Sequence, residues 1–341
     1  MKKFILLFSI ILLVQIHTEA QKNVSKTGTT AASFLEIPAG ATAVGMGGAF
    51  VSKASDATTL YWNAAGIASF TQTELTVTHT NWIAETSFDF AGLVVPLGNL
   101  GNIGLSFTQL SMPDMKVRTI EMPEGTGEYF TASNIALGVA YAVQLTDRFT
   151  IGFNAKYIQE KIWHETASGF AIDAGTTFKT DLLNGMVIGA AISNFGTSMK
   201  LAGRDTRAFY RVDDTKMGSN EQIPYEIELD SWDLPLCFQI GASTNVINSD
   251  LFRWGVAVDA IHPNNNYESV NVGTELSYCE YFFIRGGYQS LFLDKSEGGL
   301  TFGFGVASKE LFGTTAIQFD YAYRDFGRLE NIHIFTVDLK F

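Results

Sequence analysis

The sequence predicts an all-β protein: a transmembrane antiparallel β-barrel of about fourteen strands over residues 74–341, with a small N-terminal plug, residues 21–73, inside its lumen. Three observations predict it. The chain ends on Phe335-Thr336-Val337-Asp338-Leu339-Lys340-Phe341. There Phe335, Val337, Leu339 and Phe341 share one strand face, while Thr336, Asp338 and Lys340 share the other, so one face suits lipid and the other a wet interior. The same alternation recurs from residue 74 onward. Residues 1–20 read as an export signal: Lys2 and Lys3, an apolar run over residues 4–14, then Thr18-Glu19-Ala20 as a small-residue cleavage site.

That apolar run is shorter than the roughly 20 residues a helical span needs. The chain is therefore read as exported and cleaved near Ala20, with the bacterial outer membrane as its destination. No Cys lies near the cleavage site, which argues against a lipid anchor. Composition agrees. Charged residues make up 17% of the 341, against about 25% in soluble domains. Aromatics reach 13%, with 27 Phe, 12 Tyr and 32 Gly, which suits a lipid-facing barrel better than a packed soluble sandwich. The formal net charge of −12 argues against nucleic-acid binding.

Taken in order, the strand-like segments lie near 74–82, 86–96, 102–112, 133–143, 148–160, 168–179, 185–194, 235–246, 251–262, 268–278, 281–290, 298–308, 313–324 and 331–341. Each approaches the ~9–11 residues that a tilted membrane strand requires. In the fourth, Ile135, Leu137, Val139 and Tyr141 alternate with Ala136, Gly138, Ala140 and Ala142. In the thirteenth, Ile317, Phe319, Tyr321 and Tyr323 alternate with Gln318, Asp320, Ala322 and Arg324. A dry core would not accept charges at this density without partners, whereas a lumen does. The charges assigned to the lumen are Lys156, Asp173, Asp259, Glu275, Arg285 and Asp338. They read as an ion-paired lining rather than a selectivity filter. Phe335, Val337, Leu339 and Phe341 form the candidate C-terminal signal for barrel assembly.

Connections alternate in length. Turns near residues 96–99, 145–148, 181–185 and 248–250 are short, while 113–132, 161–167, 195–234 and 291–297 are longer. Short turns on one side and long loops on the other are the asymmetry of outer-membrane barrels. The loop 113–132, with nearby Met112 and its own Met115, Ile120 and Met122, and the polar loop 195–234 are the candidate contact surfaces for a partner.

Residues 21–73 break the alternation. They carry Gly45-Met46-Gly47-Gly48-Ala49, then Asp56-Ala57, then Trp62-Asn63-Ala64-Ala65-Gly66. Small residues permit close backbone packing, and Ser55 or Asp56 is placed to cap a short helix over residues 57–62. This run of about thirty residues resembles the N-terminal signature of the PorV/PorQ family, departing from it at Ala64, where the family has Pro. The resemblance implies a fourteen-stranded outer-membrane barrel similar to FadL-type transporters. It also implies a role in type IX protein secretion: binding the C-terminal signal domains of cargo, or partner translocon and attachment proteins, through extracellular loops. The alternative it implies is a FadL-like transporter of hydrophobic small molecules. The motif residues are Gly45, Met46, Gly47, Gly48, Asp56, Trp62, Asn63 and Gly66. The glycines read as packing more readily than as a hinge. Asn63 reads equally as a bond to the wall and as a local turn residue.

No catalytic arrangement is visible, so the chain is read as no enzyme, and no cofactor is expected. His79, His164, His262 and His333 lack metal-ligand spacing. Cys237 and Cys279, on strand-like segments with another strand between them, are read as unpaired, because bridging needs Cα atoms within about 7 Å.

Overall fold

The structure, a computed structural model, describes residues 26–210, 222–293, 296–311, 315–329 and 331–341. The export signal and its cleavage site lie outside the described residues, as do Arg211, Asp213, Asp214 and Glu221 of the long loop. Among the described residues, fourteen long strands run in order: β1 (Glu74–Asn81), β2 (Ser87–Pro96), β3 (Asn102–Ser111), β4 (Ala132–Thr146), β5 (Phe149–Ile162), β6 (Glu165–Lys179), β7 (Val187–Gly196), β8 (Cys237–Asn248), β9 (Phe252–Pro263), β10 (Ser269–Tyr278), β11 (Phe282–Leu291), β12 (Leu300–Leu311), β13 (Thr315–Arg324) and β14 (Ile332–Lys340). Each pairs antiparallel with the next. β1 also pairs with β14, from Glu74 opposite Lys340 to Asn81 opposite His333, and the sheet closes on itself. Closure leaves no strand edge, the condition for backbone to cross lipid.

The predicted alternation sets the two surfaces. On β1, Thr76 is fully buried while Val77 is 49% exposed. On β14, Thr336 and Asp338 are buried and Phe335 is 48% exposed. A soluble sheet would hide Val77 and Phe335. Here they belong to a continuous outward band that includes Phe153, Ile284, Phe302 and Phe319. Tyr321, on the same outward face, bonds His333 at 2.8 Å, with Tyr323 beside that imidazole. Such amphipathic side chains suit the membrane–water boundary.

Two details differ from expectation. β5 and β6 run further than their alternation suggested, leaving only residues 163–164 between them, so 161–167 is not a long loop. Cross-strand pairing continues to Ile162 opposite Glu165, and this pairing satisfies backbone that a loop would leave to water. Cys279 sits in the turn after β10 with φ of 52°, not on a strand. It and Cys237 are both free.

Among its described residues the leading segment contains only short helical pieces: a 3-10 turn (Ser33–Glu36), α1 (Ala41–Gly45), α2 (Thr59–Trp62) and a second 3-10 turn (Ala64–Ser69). α1 stops where Gly47 and Gly48 take φ of 67° and 74°. At Gly47 a side chain would also strike the wall, since a Cβ there would lie 2.7 Å from the Val272 carbonyl oxygen. α2 stops at the extended Asn63. Asp56 does not cap α2 directly. Its carboxylate accepts from the Thr58 N–H at 2.9 Å, an Asx turn just ahead of the helix.

Candidate functional site

The inward face of the ring and the leading segment are fitted to each other. The backbone N–H groups of Phe50 and Val51 donate to Asp259 on β9, at 2.7 and 2.9 Å. The Ala41 N–H donates to the Thr336 hydroxyl on β14 at 2.9 Å. Asn102 on β3 donates to the carbonyls of Ile67 and Phe70 at 2.6 and 2.8 Å. Asn63 serves both roles read from the sequence. Its amide donates to Val51 O within the segment and to Thr176 O on β6, while its oxygen accepts from the Ala65 N–H. Trp62 donates its indole N–H to Ala39 O at 2.9 Å. These bonds attach the segment to strands around the ring and use backbone groups that short helices leave unpaired.

Wall glycines mark the footprint. A Cβ at Gly152 on β5 would sit 2.5 Å from the Ala64 backbone. At Gly189 on β7 it would sit 2.7 Å from Ser52 Cα, and at Gly273 on β10 it would sit 2.8 Å from Met46 Cβ. Each occupies an inward strand position. Met46, Gly48 and Gly66 of the motif are themselves buried, with Phe50 packed edge-on against Trp62 at 6.2 Å.

Of the six predicted lumen charges, Asp173, Asp259, Glu275, Arg285 and Asp338 are buried, and Lys156 is nearly so. The structure brings them together in groups. Lys156 pairs with Asp173 at 2.8 Å. Glu275 accepts from Arg285 Nε at 2.7 Å and from Lys53 of the leading segment at 3.0 Å. Arg285 also pairs with Asp320, two strands away on β13. It reaches across β12 because Gly303 stands opposite it and Gly305 stands opposite Asp320. Asp338 accepts from the Thr76 hydroxyl. Asp259 stands apart from the ion pairs and serves the segment's backbone.

Sequence reasoning left Lys53, Glu74, Asp320 and Arg324 out of the interior charges, while Lys340 was already on the inward face of the last strand. Asp320 and Arg324 share inward parity with Ala322, and that signal was available. Lys340 and Glu74 pair at 3.3 Å where the ring closes, a contact no local pattern encodes.

Several cavities adjoin the segment. One, of about 690 Å³, lies toward the short turns among Lys53, Arg253, Glu275, Arg285 and Lys340. Another, of about 180 Å³, lies toward the long loops. At that end burial pushes the Glu36 carboxyl above its usual range, partly offset by the hydrogen bond from Asn265.

The long-loop end also carries two small hairpins, Met115–Lys116 with Tyr129–Phe130 and Arg207–Tyr210 with Ile223–Glu226. They form sheets separate from the barrel, and their loops carry exposed apolar side chains: Ile120 and Met122 on the first loop, Phe209, Tyr225, Ile227 and Trp232 on the second. The second loop is tied to the leading segment, where the Ala31 N–H donates to Asp233 O at 2.9 Å. Met199 and Trp232 bridge across its base. Among the described residues no cluster of His, Cys, Asp and Glu fits a metal ion.

Comparison with known proteins agrees with this architecture. The family described as type IX secretion system protein PorV matches residues 18–277. No curated protein matches the chain. Among solved structures, the Pseudomonas putida toluene transporter TodX is similar with a TM-score of 0.54 and 12% identity, covering 89% of this chain and 97% of TodX. A Pseudomonas aeruginosa FadL homologue gives 0.52 and 11%, covering 88% and 97%. The Ralstonia pickettii toluene transporter TbuX gives 0.52 and 11%, covering 89% and 97%. At such identities the likeness shows the barrel fold alone.

Proposed function

The chain belongs to the PorV family of type IX secretion system proteins, and from that membership we propose that this outer-membrane barrel serves protein secretion by presenting its long-loop end to protein partners. The partners would be the C-terminal signal domains of cargo, or a translocon or attachment protein. The observation that carries the reading is the set of exposed apolar side chains standing beyond the strands: Ile120, Met122, Phe209, Tyr225, Ile227 and Trp232. They lie on loops past the lipid-facing band, so lipid does not account for them, and exposed aromatics of this kind mark protein contacts. In this reading the leading segment is a fixed stopper that also props the second loop through Ala31 and Asp233.

The transport reading has less support. The solved transporters share only the fold with this chain. The cavities beside the segment are lined by charged and amide side chains, which a hydrocarbon would cut off from water.

The test is capture of secreted proteins bearing a type IX C-terminal domain by the purified barrel. The wild type should retain them, and the double variant Phe209→Ser/Tyr225→Ser should lose about tenfold or more in affinity, the scale of hot-spot truncation. Its heat-modifiable gel migration should stay that of a folded barrel. Equal capture by the variant would remove the loops from the account.

A further inference from the structure

We propose that the cavity at the long-loop end is a binding site for a neutral sugar ring, either free or at the end of a glycan. This inference stands independently of the secretion role. The cavity, about 180 Å³, lies between the leading segment and the inward faces of β7 to β11. That space is polar and roomy enough for several waters, which the hydroxyls of one ring would replace.

The lining is amide and hydroxyl around aromatic rings. Tyr61 and Trp62 are held from behind: the Tyr61 hydroxyl donates toward Leu35 O and Ile37 O at 2.6 and 2.8 Å, and Trp62 donates to Ala39 O. Their polar atoms are committed, and their rings remain as rigid apolar surface. Gln239 on β8 and Gln289 on β11 face the same space. Neither side-chain amide bonds another described residue. Each amide offers a donor and an acceptor side by side. A sugar hydroxyl, which also does both, is the matching group. A carboxylate, which only accepts, or an ammonium, which only donates, would use half of each amide.

Charge points the same way. Lys156 is neutralised by Asp173 at 2.8 Å and also bonds Asn194. Glu36 is bonded by Asn265 through both carboxylate oxygens at 3.1 Å. Among the described residues Lys156 is the one Lys or Arg of the lining, and it is already paired, so the cavity offers no free cation to an anionic ligand. A pure hydrocarbon would bury both Gln amides without partners, which is costly. Asn266, Tyr267 and Leu293 belong to the connections after β9 and β11 and form the rim, so entry is from the long-loop end.

The experiment uses the full barrel in a detergent without a sugar headgroup. Glucose, galactose and N-acetylglucosamine are titrated by saturation-transfer NMR and calorimetry, together with trisaccharides ending in each. Inorganic phosphate and palmitate serve as competitors. Gln239→Leu and Gln289→Leu are compared with the wild type, and folding is checked by heat-modifiable migration and circular dichroism. Saturable binding of at least one sugar is expected, weakened about tenfold by each variant. Tighter binding of the monosaccharide assigns the site to free sugar, and tighter binding of the trisaccharide assigns it to a glycan terminus. The proposal is overturned if the folded wild type binds none of them. It is equally overturned if folded variants bind as the wild type does, or if phosphate or palmitate displaces the sugar.

Discussion

Arg285 shows how one side chain holds the interior together. It lies buried on β11 between Glu275 and Asp320, and Glu275 in turn holds Lys53 of the leading segment. Charges so far from water persist only while each has its partner. Arg285→Met removes the cation and leaves two buried carboxylates facing each other. The expected loss is about 3–5 kcal/mol, the scale of breaking a buried ion pair. Urea titration of the barrel in lipid vesicles, followed by tryptophan fluorescence, measures it. The quadruple variant Lys53→Met/Glu275→Leu/Arg285→Met/Asp320→Leu should recover most of that loss, because Lys53, which Glu275 holds, is then removed along with the other charges. A single variant as stable as the wild type would show that water reaches these groups freely. The triad also marks a limit of sequence reading. Arg285 and Glu275 were legible as interior residues from parity alone. Their link to Asp320 was not, because it depends on the register of β12 and on Gly303 and Gly305 leaving a path between strands.

Strands as elements were the most legible part of the chain, because alternation with unlike faces is a period-2 signal that any segment carries by itself. On β14 the reading was specific enough to test. Val337 faces outward between Val77 of β1 and Phe319 of β13, well away from the strand ends. Val337→Arg places a cation in hydrocarbon and should cost ~2–4 kcal/mol, whereas Asn81→Arg at the end of β1 should cost ~0–1 kcal/mol, following depth in the bilayer. Folding equilibria in vesicles compare the two. Equal costs would mean that the outward band is not where lipid sits. Strand ends and loops were less legible. β5 and β6 extend past their alternation because cross-strand bonds continue where the side-chain pattern fades, as at Ile162 and Glu165. The two loop hairpins were missed because the strands of one, Met115–Lys116 and Tyr129–Phe130, are two residues each and those of the other, Arg207–Tyr210 and Ile223–Glu226, are four residues each, too short to show a period. The leading segment resisted for the opposite reason. Its order comes from wall groups such as Asp259, Thr336 and Asn102, and it has little regular structure of its own to predict.

At the scale of the whole molecule, the inward glycines decide what the ring can do. Gly152, Gly189 and Gly273 bring wall backbone within contact of the leading segment on three separate strands. Hydrogen bonds from β3, β6, β9 and β14 fix it in place. A ring of fourteen strands would otherwise enclose a water-filled lumen, as larger barrels do. If the segment acts as the proposed stopper, it separates a closed scaffold from a pore, and planar-bilayer conductance distinguishes the two. The intact protein should show little or no steady current. A chain with residues 30–70 deleted should conduct in long-lived steps if the ring still closes through β1 and β14, which heat-modifiable migration checks independently. Gly152→Val should fall between them, since its side chain would displace Ala64 and Ala65 while the strand stays paired. Steady conductance through the intact protein would require a continuous wet path past Phe50, Trp62 and Ile67, which are buried, and would remove the stopper from the account.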